Sequence, residues 1–186
     1  DGIGLPHYVK EGVWFHKRAP LSFTAYQLHY RLIGDATAAI QFNSALGGGI
    51  GVLVALAFGA LLAPGRRWLQ LAIAALVVTT GSAVLFFGHI EHYALPSALT
   101  MLFLYLGSKS LMQGTSIVPA ALVVTLSTAV HLSMTTMIPA LLFLVLVHAL
   151  RSGSFRRGLV RTLLVVLAVA IPAWLFRHRR GMRAFR

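Results

Sequence analysis

Residues 36–63 read ATAAIQFNSALGGGIGVLVALAFGALLA, a run without one charged side chain. At about 20 apolar residues per membrane crossing, it is long enough to span a bilayer and to tilt within it. Its leucines, alanines and valines lack the alternation of a strand, and a helix closes every backbone hydrogen bond within its own segment, as hydrocarbon surroundings demand. The run therefore predicts a transmembrane α-helix and excludes a transmembrane barrel. Gly47, Gly48, Gly49 and Gly51 lower its helix propensity, so they mark either close approach by a neighbouring helix or a local break.

Outward from this run, apolar segments recur at 68–87, 93–108, 117–131, 134–150 and 160–176. The segment 68–87 is a full crossing in length, and the later ones sit at the short end of the range. The expectation is an all-α fold, a polytopic transmembrane helical bundle of about six segments over 36–176. It is preceded by an extracytoplasmic loop with a juxtamembrane helix over 1–35 and followed by a basic tail over 177–186. Composition agrees: 58% of the 186 residues are hydrophobic, 11% are charged and the mean hydropathy is +0.79, more apolar surface than one soluble core hides. The absence of cysteine removes disulfides, thiolate metal sites and thiol nucleophiles. The chain starts at Asp1 without a signal-peptide pattern, and reads as a fragment or processed chain that a hydrophobic segment preceded.

The net charge of +12 does not indicate nucleic acid, because Lys and Arg lie between apolar segments and at the C-terminus rather than along one face. Their placement fits membrane topology and anionic headgroups or phosphates. Arg66 and Arg67, Lys109 in a turn after Gly107, and the arginines of 151–161 mark cytoplasmic loops. The N-terminal loop, 88–92 and 132–133 then lie on the opposite face, which collects all four acids, Asp1, Glu11, Asp35 and Glu91. Arg177, Arg179, Arg180, Arg183 and Arg186 oppose six alternating crossings. Either the last segment does not cross, or 117–150 folds differently, or the tail ends a truncated frame.

Two stretches could carry chemistry. The first holds His7, Tyr8, Lys10, Glu11, Trp14, Phe15, His16, Lys17 and Arg18; Pro20 then opens a helix whose Leu21, Ala25, Leu28 and Leu32 form a stripe suited to the membrane interface. The second is Gly88-His89-Ile90-Glu91-His92-Tyr93, with Pro96 just inside the next segment. An ionisable group at a membrane boundary is costly enough to suggest function, which favours Glu91. His89 and His92 flank it as a candidate metal pair, although the spacing is not His-Glu-x-x-His and no third ligand is evident. His131 and His148, single histidines in apolar runs, read as hydrogen-bonded packing residues. There is no phosphate-cradling glycine loop, nucleotide fingerprint or serine nucleophile elbow.

The order of these features is informative: Asp1 opening an extracytoplasmic loop, Trp14-Phe15 with Lys17-Arg18-Ala19-Pro20-Leu21, a juxtamembrane helix, Gly88-His89-Ile90-Glu91-His92-Tyr93-Ala94-Leu95-Pro96, and later His131-Leu132. It resembles the GT-C superfamily of polytopic glycosyltransferases, especially bacterial members related to the protein mannosyltransferases and the lipid A aminoarabinose transferase. The resemblance implies transfer of a sugar from a polyprenyl-phosphate donor to an acceptor at the extracytoplasmic face of the bacterial inner membrane. It implies Asp1 as catalytic acidic residue, acting as general base or helping to hold a divalent metal ion, and Glu91 as a second carboxylate. It implies Lys10, Lys17 and Arg18 as candidate partners of the donor phosphate. His89 and His92, on either side of Glu91, are further substrate-binding candidates. The implied partners are the lipid bilayer and the polyprenyl-phosphate sugar donor, and not nucleic acid.

Two other functions compete. A permease for an amphipathic substrate would show repeats and polar groups near the midplane, whereas this chain has no repeat and its polar clusters lie at one interface. A non-catalytic assembly subunit would need only the glycine packing and the clustered charge.

Overall fold

A computed structural model of the chain describes residues 4–16, 18–79 and 93–151. Every regular element among them is helical: α1 (Leu5–Lys10), α2 (Pro20–Ile33), α3 (Ala36–Leu62), α4 (Arg67–Thr79), α5 (Ala94–Gln113), α6 (Val118–Val130), a 3-10 turn (Leu132–Met137) and α7 (Ile138–Arg151). Two stretches, Ala36–Leu62 and Leu132–Arg151, are long and apolar enough to cross a membrane, and the apolar helices α4 and α6 are shorter. The apolar segment 160–176, the end of 68–87 and the tail 177–186 lie outside the described residues.

The deciding run forms one unbroken helix. Its 27 residues extend for about 40 Å at 1.5 Å per residue, against a hydrocarbon core of about 30 Å. The Asp35 carboxylate caps its start by accepting from the Ala38 N–H at 2.7 Å. Of the two readings of the glycines, close approach is the observed one. A Cβ on Gly47 would stand 2.9 Å from the Ala94 carbonyl carbon and 3.0 Å from Leu95 N, at the start of α5, and one on Gly59 would collide with the Gln70 carbonyl of α4. Gly49, by contrast, has nothing within 4 Å of such a Cβ. Gly65, with φ of 78°, makes the turn into α4, and Gln70 Nε2 closes it by donating to the Ala63 carbonyl at 2.8 Å.

The turn expected after Gly107 is not there. Gly107 packs against Leu144 of α7, and α5 runs on to Gln113, where Gly114 ends it with φ of 66°. Lys109 is therefore a helical residue, its ammonium over the Tyr105 ring at 5.9 Å. A glycine whose missing side chain admits a neighbour reads in sequence like one that breaks a helix. Arg151 Nη1 donates to the Leu111 carbonyl, so the ends of α5 and α7 meet.

Two cores hold the elements. Leu99, Phe103, Val124, Leu141 and Leu144 pack α5, α6 and α7 together. Leu5, Val9, Phe23, Tyr26 and Ile40 bind α1 and α2 to the first turns of α3. The outer faces are apolar too, Leu53 of α3 and Phe143 of α7 being 68% and 59% exposed. Hydroxyls on α6 bond back into their own helix: Thr125, Ser127 and Thr128 donate to the carbonyls of Ala121, Val123 and Val124.

Candidate functional site

The candidate site is the corner where the segment before α2 meets the end of α6 and the start of α5. α6 stops at Val130, leaving its last carbonyls without helical donors. The buried Ser22 hydroxyl of α2 donates to the Val130 carbonyl at 3.0 Å. Two residues on, the Leu132 N–H donates to the Arg18 carbonyl at 2.8 Å. These bonds take the place of the next helical turn, and His131 between them swings out at φ −150° and ψ 126°.

His131 is thus not inside an apolar helix; it is hydrogen-bonded, as its sequence context suggested, but to the turn that follows. Its Nδ1 accepts from the Ser133 N–H at 3.3 Å and lies 2.6 Å from Ser133 Oγ, capping the 3-10 turn. A backbone N–H can only donate, so Nδ1 carries the lone pair and the neutral ring holds its proton on Nε2. The Tyr93 ring, next in sequence to His92, lies 5.6 Å from the His131 ring. His131 stands outside both membrane-length stretches, and its pKa is held below the usual 6.5 by burial first, then by the facing His16 and Arg18.

The loop that brings Arg18 here is built from both sides. Pro20 begins α2, and Thr24 Oγ1 donates to the Trp14 and Pro20 carbonyls at 3.2 and 3.1 Å. Buried Gln27 donates to the Val9 carbonyl at 2.8 Å, with a longer bond to that of Val13 at 3.3 Å. His16 stacks on Phe23 at 5.1 Å, and Tyr8 of α1 meets both rings. Arg31 covers the Trp14 ring at 4.5 Å. Below this loop, Asn43 Nδ2 donates to the Ala39 carbonyl at 2.8 Å and lies 2.6 Å from His29 Nδ1, beside a water-sized recess between α2, α3 and α5 lined by Ser22, Tyr26, Asn43 and Ser44.

Of the residues singled out in the sequence, Arg18 is in the corner. Lys10 is exposed on the last turn of α1. Asp1, Lys17, His89, Glu91 and His92 lie outside the described residues. Glu11 pairs with His7 at 3.1 Å on the exposed side of α1. Among the described residues no group of three His, Asp or Glu side chains could hold a metal ion. The stripe predicted for α2 is divided: Leu21 packs on the α5–α7 core, while Leu28 and Leu32 stand exposed and Ser22, Phe23, Tyr26 and Gln27 form the buried face.

No protein-family model, curated protein or solved structure matches this chain.

Proposed function

We propose that the chain is the membrane-embedded part of a glycosyltransferase that moves a sugar from a polyprenyl-phosphate donor to an acceptor at the extracytoplasmic face of a bacterial inner membrane. The observation that carries the reading is the corner itself. Arg18, His16, Tyr93 and His131 converge at one end of an all-helical chain with two membrane-length stretches, where a lipid phosphate and a water-borne acceptor can meet. The six-segment polytopic bundle, with this corner outside and Arg66, Arg67, Lys109 and Arg151 inside, belongs to the same proposal.

In this reading a carboxylate, Asp1 or Glu91, takes the proton of the acceptor hydroxyl as it attacks the sugar's anomeric carbon. The bond from that carbon to the phosphate oxygen breaks, and the phosphate leaves with its electron pair. Arg18, with Lys17 beside it in sequence, stabilises the negative charge on the leaving phosphate. His89 and His92, adjoining Tyr93, orient the donor, and Lys10 is a further partner of its phosphate. The resemblance of the loop motifs to GT-C enzymes supports the same assignment.

The test is sugar transfer from a radiolabelled polyprenyl-phosphate donor by membranes containing the protein, comparing wild type with Asp1→Asn, Glu91→Gln and Arg18→Gln at equal protein level. Loss of transfer in a carboxylate variant identifies the base. No transfer from any donor in a panel abandons the enzyme for the permease, for which uptake of an amphipathic substrate is then measured.

A further inference from the structure

The geometry points to a site for one soft monovalent cation, Cu(I) or its redox-inert analogue Ag(I), held by the thioethers of Met134 and Met137 against the Thr100 hydroxyl. The site is independent of the sugar-transfer reading and uses none of the groups which that reading assigns. Met134 and Met137 stand three positions apart in the 3-10 turn Leu132–Met137, the spacing at which the side chains of such a turn lie one above the other. Both sulfurs reach the same atom: Thr100 Oγ1 of α5 is 3.6 Å from Met134 Sδ and 3.8 Å from Met137 Sδ. That hydroxyl has a single proton, and the Pro96 carbonyl at 2.9 Å is the nearer and stronger acceptor for it. With the proton directed to Pro96, the oxygen turns its lone pairs toward two sulfurs that carry lone pairs of their own. Three electron-pair donors thus face one another, and a cation among them converts that opposition into binding.

The distances suit an ion. Donors about 2.3 Å from one metal in a tetrahedral arrangement stand about 3.8 Å from each other. A methionine side chain has three rotatable bonds, so the remaining sulfur–sulfur edge can adjust without moving the turn. Thioethers are soft and neutral, which selects Cu(I) or Ag(I) over Zn(II), Cu(II) or Mg(II). Charge points the same way, because the cost of desolvating an ion rises with the square of its charge and these three donors bring no carboxylate to offset a divalent one. Met137 is buried, whereas Met134 is half-buried beside the exposed Thr135 and Thr136, which gives an ion entry from the outer side of the turn. Once bound, it ties the turn between α6 and α7 to α5.

The test is titration of the purified full chain in detergent with Ag(I), followed by calorimetry and by the resonances of its five isotope-labelled methionine methyl groups. Expected is one site per chain that moves the Met134 and Met137 resonances and leaves those of Met101, Met112 and Met182 in place. Cu(I), presented from a chelator under anaerobic reducing conditions, should displace Ag(I), and Zn(II) should move neither resonance. Met134→Leu and Met137→Leu conserve volume and so keep the fold. Each should weaken binding by at least about tenfold, the loss that removing even a supporting partner of a metal ligand brings. Thr100→Val should weaken it less, since the oxygen is the hardest of the three donors. Silver held by histidine instead would leave the methionine signals unmoved. The proposal is overturned if saturating Ag(I) leaves the Met134 and Met137 signals where they were, if it shifts all five methionines alike, or if a folded protein with both leucine substitutions binds Ag(I) as tightly as wild type.

Discussion

Gly47 and Gly49 lie two residues apart in one glycine run, and the structure gives their substitution by alanine opposite outcomes. A methyl group on Gly47 meets only backbone: the Ala94 carbonyl carbon at 2.9 Å, Leu95 N at 3.0 Å and the Ala94 oxygen at 3.1 Å, none of which can rotate aside. A methyl group on Gly49 meets nothing within 4 Å. Both changes gain helix propensity of about 1 kcal/mol, so that term cancels in the comparison. What remains is the overpacking of α3 against the start of α5, typically about 1–3 kcal/mol. Gly49→Ala should equal or exceed wild type in stability, and Gly47→Ala should fall about 2 kcal/mol below Gly49→Ala. Equilibrium unfolding in mixed micelles, read by circular dichroism, measures the difference. Equal stability of the two variants would refute the close approach of α3 and α5. Because α5 begins beside Tyr93, the same methyl should also move Tyr93 relative to His131 and perturb the His131 ring resonances, an effect Gly49→Ala should lack.

Gln27→Ala leaves the buried Val9 carbonyl without its donor, at a cost of about 1–3 kcal/mol, and hydrogen exchange over residues 5–13 should speed up relative to α6. Since the chain has no cysteine, single labels report on its faces directly: Leu53→Cys carrying an environment-sensitive dye should be quenched by lipid-borne nitroxides in proteoliposomes and spared by iodide, and Lys10→Cys should behave oppositely. Iodide quenching at Leu53 would sink the membrane reading. The lowered pKa of His131 gives stability a pH dependence of definite sign. Below the ordinary value of 6.5 the unfolded chain binds a proton that the folded one resists, so this contribution is fully present above 6.5 and is lost as pH falls toward the folded value. His131→Asn should remove that part of an unfolding profile measured without anion, and a profile identical to wild type would contradict the assignment.

How much of this is legible in the sequence varies from element to element for physical reasons. The uncharged run that became α3 needs no tertiary information, because composition and length alone require a helix in lipid. Pro20 opens α2 as expected, since a fixed φ and an absent N–H suit the first turn wherever it falls. α1 is different: six residues are too few to hold a helix alone, and Leu5 and Val9 are buried by partners that only the fold supplies. At Gly107 the same residue type serves a turn or a close contact, and Leu144, 37 positions on, decides which. The hydrogen bonding of His131 is legible from its place among the apolar segments 117–131 and 134–150, but periodicity does not reveal that the chain leaves the helix at its α-carbon. The contacts that define the corner join Ser22 to Val130 across 108 positions, a pairing that no local pattern encodes.

Those contacts also explain why the chemistry-bearing groups gather at this end. Among the described residues α3 is the longest helix, it carries no titratable side chain, and it is approached closely, at Gly47 by α5 and at Gly59 by α4. Arg18, His131 and Tyr93 instead stand where helices begin or stop, in a loop, at a C-cap and at an N-cap. At such places the backbone has unfilled hydrogen-bonding groups, and satisfying them fixes the neighbouring side chains. The Ser22 hydroxyl and the Arg18 carbonyl each satisfy one group of the interrupted α6 ladder. The segment before α2 and the outward turn of His131 are therefore tied together at the end of α6, and Arg18 belongs to that tie. A chain with helices long and apolar enough to cross a membrane can in this way hold a charged side chain in register at a helix end without burying it in its core.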